Sequence, residues 1–181
     1  MRIISGSLGG RRIKPPAKMP HTRPTTDIAK EGLFNILQHQ IDFEGIHTLD
    51  LFGGTGSISY ELASRGAAQL TIVEKDPAMH RFIADTIKQL QIANARVVQM
   101  EVFKFIETCN QQFHFIFAGP PYALTTIDAL PDKVAEKRLL LPDGLFILEH
   151  TPRNNYEAHP QFLWQRHYGT TVFSAFTPPQ S

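Results

Sequence analysis

The sequence predicts an α/β protein with a doubly wound, mostly parallel sheet of seven strands that ends in an antiparallel hairpin. Short apolar runs rich in Val, Ile, Leu and Phe alternate with segments of helical periodicity along most of the chain. A glycine-rich turn follows the first buried run, which is typical of a ligand-binding strand end. The last two strand-like runs are separated only by Tyr168 and Gly169, a spacing that favours a hairpin.

The individual elements follow from the same periodicities. Strands are predicted at 49–52, 69–74, 96–100, 113–118, 144–149, 162–167 and 170–176. Helices are predicted after the capping residues Thr25, Thr26 and Asp27, with apolar spacing that continues to Ile41, at 57–65 and 77–90, and near 102–110 and 126–140. Residues 2–14 form two extended pieces around a glycine-rich loop, a possible hairpin, and four prolines between 15 and 24 then exclude helix.

Length and composition indicate an ordinary globular protein. The 181 residues suit a single domain, 1–181, with 42% hydrophobic and 19% charged residues and no apolar stretch of membrane-spanning length. Cys109 is the one cysteine in the sequence, so an internal disulfide is impossible and a reducing, cytoplasmic location is expected. The eight histidines are scattered, and no metal site is expected.

The net charge of +1 hides a basic N-terminal arm, which we define as residues 1–24. Residues 1–40 carry seven basic and two acidic side chains, whereas the remainder carries eleven and fifteen. Arg11, Arg12 and Lys14 are therefore candidates for contact with a polyanion such as RNA. A solvated terminus explains the same charge pattern, and the two interpretations stay open.

The turn after the first strand suits a nucleotide-like cofactor. Glycines let a backbone approach a ligand closely, but Ser59 stands where a dinucleotide fingerprint needs its third glycine, and no P-loop lysine follows. Glu74 ends the next predicted strand, where a carboxylate can accept hydrogen bonds from ribose hydroxyls, although a carboxylate that caps the following helix is the alternative. The candidate cofactor residues here are Asp50, Phe52, Gly53, Gly54, Gly56 and Glu74.

A second motif, Gly119-Pro120-Pro121-Tyr122, follows the fourth predicted strand and faces the same crevice. Two prolines make the loop rigid and hold the Pro120 carbonyl in one direction, where it can accept a hydrogen bond from an amino group. Tyr122 can stack on a planar substrate such as a flipped base. An ordinary packing loop is the alternative.

Together these segments resemble the RsmD family, the bacterial 16S ribosomal RNA guanine-N2 methyltransferases. The resemblance covers residue 2 to about residue 150 and is carried most specifically by an Arg-Pro-Thr-Thr-Asp segment before a helix. The matching segments are Arg2-Ile3-Ile4, Gly10-Arg11, Arg23-Pro24-Thr25-Thr26-Asp27, Glu31-Gly32-Leu33-Phe34-Asn35-Ile36-Leu37, Ser64-Arg65-Gly66-Ala67, Val73-Glu74-Lys75-Asp76, the glycine turn and the Pro-Pro-Tyr loop.

The resemblance implies a Rossmann-like fold, S-adenosylmethionine as cofactor and small-subunit ribosomal RNA, naked or in an assembling 30S particle, as partner. It implies that the segment with Arg23 and Thr25 closes over the methionine end of the cofactor and that the basic arm faces RNA. It also implies that Glu101 accepts from the adenine amine beside the Val102 backbone and the Phe103 ring. The family usually has Asp at position 101, and a helix-terminal Glu explains this residue nearly as well.

Gly119 departs from the family, in which an Asp would be expected at this position. An Asp oxygen and the Pro120 carbonyl would each accept one N–H of the target amine, and loss of one oriented acceptor costs on the order of 10²–10³ in rate. A slow enzyme, an inactive variant and a protein that acts by binding alone all remain open. So do a DNA adenine-N6 or protein glutamine-N5 methyltransferase and a catalytically silent RNA-binding assembly factor.

Overall fold

The computed structural model describes residues 1–19 and 24–180, and Arg23, predicted to contact the cofactor, lies outside them. The helices of the described residues are α1 (Asp27–Leu37), α2 (Ser57–Ser64), α3 (Pro77–Gln89), α4 (Val102–Thr108) and α5 (Ala129–Glu136). The strands are β1 (His47–Leu51), β2 (Gln69–Val73), β3 (Ala95–Val98), β4 (Phe113–Ala118), β5 (Leu140–His150), β6 (Phe162–Tyr168) and β7 (Thr171–Phe176).

The seven strands form one sheet in the order β3-β2-β1-β4-β5-β7-β6. The first five strands are parallel, β7 runs antiparallel to β5, and β6 and β7 form the terminal hairpin. The predicted fold class is therefore confirmed. The chain reverses its strand order between β1 and β4, and this switch point is where α/β sheets bind ligands.

Helices cover both faces of the sheet. On one face α1 and α2 pack on β4, β5 and β7 through a cluster that includes Leu33, Phe34 and Phe117. On the other face α4 and α5 pack through Phe105 and Leu130. Thr26 is the N-cap of α1 and accepts a hydrogen bond from the Ala29 N–H, as its position before the apolar spacing predicts.

Residues 2–13 of the N-terminal arm are part of the fold. Arg2 and Arg12 form an isolated antiparallel bridge between the two extended pieces. Ile3 and Ile13 are buried against α2, β2 and α3 in a cluster that includes Tyr60. Residues 2–13 are thus held by packing, and the interpretation as a loose terminus does not apply to them.

Most element bounds lie within two residues of the sequence prediction, and three elements differ by more. The helix predicted near 126–140 is the shorter α5, Ala129–Glu136. β5 begins at Leu140, before the predicted residue 144, because a register shift opposite Phe113 and Phe115 accommodates residues 141–144 within the strand, with Asp143 at a φ of 64°. α1 ends at Leu37, although the apolar spacing continues to Ile41, whose N–H still donates to the Leu37 carbonyl. Among the described residues, no helix is long and apolar enough to cross a membrane.

Candidate active site

The carboxyl ends of the parallel strands bring the predicted motifs to one edge of the sheet. Phe52 follows β1, Glu74 follows β2, Gly119 follows β4, and Glu149 stands one residue before the end of β5. Leu51 pairs with Val73 on one side and with Ala118 on the other, so the residues after these strands are neighbours across the sheet. The site is therefore assembled by strand register.

The glycine turn is tight and closely packed. Phe52, Gly54 and Gly56 have φ values of 63°, 58° and 82°, in the left-handed region. Gly53 is locked to the sheet by a hydrogen bond of 2.8 Å from its N–H to the Val73 carbonyl. A Cβ at Gly56 would lie 2.4 Å from the Tyr60 ring, so a side chain at this position would collide with α2.

Glu74 is attached directly to this turn. The Gly54 N–H donates to its Oε1 at 2.9 Å, and the Asp76 N–H donates to its Oε2 at 2.8 Å. The N-cap of α3 is Asp76, whose carboxylate accepts from the Met79 N–H, so Glu74 is not itself the helix cap. The structure thus brings together Glu74 and the glycine turn, as the sequence predicts.

Asp50 is buried beneath the turn. Its side chain is 2% exposed, and its Oδ2 accepts a hydrogen bond of 2.7 Å from the Ser59 hydroxyl. Burial raises the pKa of the Asp50 carboxyl well above its ordinary value, and the nearby Glu74 raises it further, against the effect of the Ser59 hydrogen bond. Ser59, the residue that breaks the dinucleotide pattern, therefore holds Asp50 in place.

Glu101 is the N-cap of α4. Its carboxylate accepts from the Phe103 N–H at 2.8 Å and from the Lys104 N–H at 3.2 Å, while the side chain stays exposed. Glu101 therefore caps the helix, as the alternative interpretation expected. A contact between adenine and the remaining lone pairs of the carboxylate stays a prediction. Val102 begins α4 and buries its side chain in the core, which leaves its main chain as the part predicted to contact cofactor.

The Pro-Pro-Tyr loop lies between two cavities. The first is a small cleft whose lining includes the glycine turn, Thr25 and Gly119. The second is a groove of about 730 Å³ whose lining includes Pro120, Pro121, Tyr122 and Glu149. Because consecutive residues of one loop border both cavities, two ligands could meet at the loop.

Position 119 can accept a side chain. Gly119 is not among the residues with positive φ, so its backbone does not require glycine. A Cβ there would lie 3.1 Å from Phe117 Cε1 and 3.7 Å from Glu149 Oε1. The first contact is tight and needs a small shift of the Phe117 ring, and the second places a carboxylate next to the vacant side-chain position.

Glu149 is a site residue that the sequence analysis missed. It is 1% exposed, and the Thr25 hydroxyl donates a hydrogen bond to its Oε1. The available signal was its place at the end of the predicted strand 144–149, the same argument that singled out Glu74. The hydrogen bond to Thr25 joins residues 124 positions apart along the chain, so no local sequence pattern indicates it.

His150 follows Glu149 and is also buried. Its Nδ1 lies 2.7 Å from the Thr151 carbonyl and its Nε2 lies 2.7 Å from the Ser174 hydroxyl oxygen. Burial lowers the pKa of His150, in spite of the Thr151 carbonyl. A neutral ring with its proton on Nδ1 satisfies both partners, since Nε2 then accepts from Ser174.

The predicted RNA contacts lie on the N-terminal arm. Arg11, Arg12 and Lys14 are exposed. Arg12 pairs with Arg2, whose carbonyl accepts a hydrogen bond of 2.9 Å from Lys30 Nζ. Lys30 also donates to the hydroxyl of Ser57, at 3.0 Å, and Ser57 lines the small cleft. The arm is therefore connected through one buried lysine to the candidate cofactor cleft.

Comparison with known proteins identifies the family. A family model described as conserved hypothetical protein 95 matches residues 1–177. Ribosomal RNA small subunit methyltransferase D of Escherichia coli K12 is 30% identical over 167 residues, which cover 92% of this chain and 82% of the relative. The chain belongs to the RsmD family.

Solved structures extend the match to the whole fold. A hypothetical protein of Thermus thermophilus, TTHA0928, has a TM-score of 0.85 at 28% identity, and the match covers 98% of this chain and 99% of that protein. The T. thermophilus 16S rRNA N2 G1207 methyltransferase RsmC, solved with AdoMet and guanosine, has a TM-score of 0.68 at 21% identity, over 86% of this chain and 44% of RsmC. The second likeness supports the fold alone, and the first shows that the shared architecture extends over nearly the whole chain.

Proposed function

We propose that this RsmD-family protein transfers a methyl group from S-adenosylmethionine to the exocyclic N2 of a guanine in small-subunit ribosomal RNA. The observation that carries the proposal is the position of the Pro-Pro-Tyr loop between the small cleft and the larger groove. A transfer reaction needs its donor and acceptor to meet at a shared boundary. Relatives named as ribosomal RNA methyltransferases support the choice of substrate class.

The residues at the glycine turn fit this cofactor. Gly53 and Gly54 line the small cleft, and without side chains they let a ligand approach the main chain of the turn. Glu74 is held at the turn by the Gly54 N–H, where its remaining lone pairs are suited to accept from ribose hydroxyls. Thr25 closes another side of the cleft. The RsmC structure with AdoMet supports the same cofactor class for this fold.

S-adenosylmethionine, when bound, supplies an electrophilic methyl group on a sulfonium centre. The protein's part is to orient the acceptor, because a guanine amine is a poor nucleophile whose lone pair is delocalised into the ring. The Pro120 carbonyl is suited to accept one amine N–H, and the prolines on both sides of that carbonyl keep it in one direction. Tyr122, which is 54% exposed on the groove, is suited to stack on the base.

The wider assignments follow from the same proposal. Arg11, Arg12 and Lys14 would contact RNA phosphates at the edge of the site, and the partner would be ribosomal RNA or the assembling 30S particle in the cytoplasm. Residues 1–181 would act as one methyltransferase domain, with residues 1–24 as its basic arm. The burial of Ile3 and Ile13 against α2 and α3 supports an arm that is integral to the domain.

Transfer of a labelled methyl group tests the proposal. The protein is incubated with labelled S-adenosylmethionine and, separately, with naked 16S RNA, immature small subunits, large subunits, DNA and total protein. We expect label in the small-subunit RNA, with nuclease mapping placing it at one guanine. Label in DNA or in a protein glutamine would identify one of the rival methyltransferases. RNA binding without label under saturating cofactor would identify a silent assembly factor.

A further inference from the structure

The buried carboxylate of Glu149 lies beside position 119, where the Pro-Pro-Tyr loop begins with glycine instead of an acidic residue. Glu149 Oε1 is 3.7 Å from the place that a Cβ at residue 119 would occupy. The side chain is 1% exposed, so it is part of the interior of the site. An acidic side chain at position 119 would approach this same carboxylate.

The pairing of strands in the sheet explains why a side chain at position 119 or at position 149 can reach the same point. β4 and β5 are adjacent and parallel, and Ala118 pairs with Leu148. Gly119 and Glu149 are the next residues along each strand, so they stand at the same level of the sheet edge. A carboxylate can therefore be delivered to this point from either strand.

Glu149 lines one of the two cavities and is hydrogen-bonded to a residue that lines the other. It lines the groove together with Pro120 and Tyr122. Its Oε1 accepts the Thr25 hydroxyl, and Thr25 lines the small cleft. The carboxylate is thus oriented at the boundary where a methyl donor and an amine would meet.

We propose that Glu149 is a catalytic residue that takes the place of the Asp expected at position 119. The inference rests on the proposed methyl transfer to a guanine amine. One amine N–H donates to the Glu149 carboxylate, the other donates to the Pro120 carbonyl, and the nitrogen lone pair faces the methyl carbon. As the N–C bond forms, the C–S bond breaks and sulfur keeps the electron pair. The amine proton passes to Glu149 and then to water.

If Glu149 supplies the carboxylate, glycine at position 119 does not leave the site without one. With Glu149 in place, an Asp at position 119 would set two carboxylates side by side, and like charges at such a distance disfavour full ionisation. Gly119→Asp alone should therefore not accelerate the reaction. The same substitution should help once the Glu149 charge has been removed.

Single-turnover methyl transfer to small subunits, at saturating cofactor, tests the substitution pattern. We expect Glu149→Gln to lower the rate on the order of 10²-fold, since one oriented charge is lost while an amide oxygen can still accept from Thr25. Adding Gly119→Asp to Glu149→Gln should recover at least about tenfold of that loss, whereas Gly119→Asp alone should not exceed the wild-type rate. Glu136→Gln, at an exposed carboxylate, is the matched control and should leave the rate unchanged. A wild-type rate in folded Glu149→Gln would overturn the proposal.

A binding measurement separates this inference from the proposed activity. With S-adenosylhomocysteine present, the wild-type protein should bind guanosine on the order of tenfold more tightly than inosine, which lacks the N2 amine. Glu149→Gln should lose this preference. Equal binding of the two nucleosides by the wild type, or an unchanged preference in Glu149→Gln, would overturn the role of Glu149. A Glu149-dependent preference without methyl transfer to small subunits would instead reject the proposed function and leave Glu149 as a residue that recognises the N2 amine.

Discussion

Lys30 and Glu61 form a buried ion pair between α1 and α2, with 3.3 Å between Nζ and Oε1 and side-chain exposures of 1% and 0%. Glu61 also accepts the N–H groups of Ile4, at 2.8 Å, and Ser5, at 3.1 Å. Lys30 donates to the Arg2 carbonyl at 2.9 Å. One pair of opposite charges therefore holds the N-terminal arm against both helices.

Removing one partner of this pair should destabilise the protein strongly. Lys30→Ala leaves the buried Glu61 carboxylate without its lysine, although Arg65 Nε still lies 2.9 Å from Oε2. We expect a loss of about 3 kcal/mol in the free energy of unfolding, measured by urea denaturation. Lys133→Ala, which breaks an exposed pair with Glu136, is the control and should change stability by less than about 1 kcal/mol. Similar losses in both variants would contradict a structural role for the buried pair.

His150 should make stability depend on pH. Burial holds the pKa of the folded-state imidazole below its ordinary value of 6.5, so between the two values the unfolded chain binds the extra proton. Stability is then full above about pH 6.5 and is lost as pH falls below it. Thermal melts from pH 8 to pH 5 should show a smaller decline in His150→Gln than in the wild type. His39→Gln, at an exposed histidine, should follow the wild-type curve, and parallel curves for all three proteins would exclude this role of His150.

Local patterns in the sequence predicted which strand ends form the site, but not the long-range contacts between them. Strand periodicity and the glycine turn correctly placed Phe52, Glu74 and Gly119 at the ends of strands that proved to be neighbours. The end of the predicted strand 144–149 pointed to Glu149, but its relation to Gly119 depends on the pairing of β4 with β5, and its hydrogen bond to Thr25 spans 124 positions. The contacts of Glu61 with the arm span 56 and 57 positions, and no local pattern in the sequence predicted them. Sequence patterns report local periodicity, whereas such contacts form only when the sheet is assembled.

Glu74 should set cofactor affinity through the ribose. Glu74→Ala removes the proposed ribose acceptor and also releases the Gly54 N–H, so we expect S-adenosylhomocysteine to bind about 1–3 kcal/mol more weakly by calorimetry. Glu74→Gln keeps an acceptor oxygen for Gly54 and should fall between Glu74→Ala and the wild type. Unchanged affinity in folded Glu74→Ala would reject the assignment of this residue.

The basic arm should set the salt dependence of RNA binding. Replacing Arg11, Arg12 and Lys14 by Gln should weaken association with 16S RNA and lower the slope of log K against log salt by about two, with cofactor affinity nearly unchanged. The control replaces Lys133, Lys137 and Arg138, which are exposed and lie on α5 and before the start of β5, away from the candidate site. Equal slopes for the arm variant and the wild type would make the arm a structural element only.

The identity of the methylated nucleoside tests the central claim most directly. Small subunits are incubated with the wild-type protein and S-adenosylmethionine that carries a deuterated methyl group. The RNA is then digested to nucleosides, which are separated and identified by mass spectrometry. We expect N2-methylguanosine that carries the heavy methyl group, at a yield approaching one per particle. Heavy methyl on adenine N6, on another guanine atom or on no nucleoside at all would contradict it.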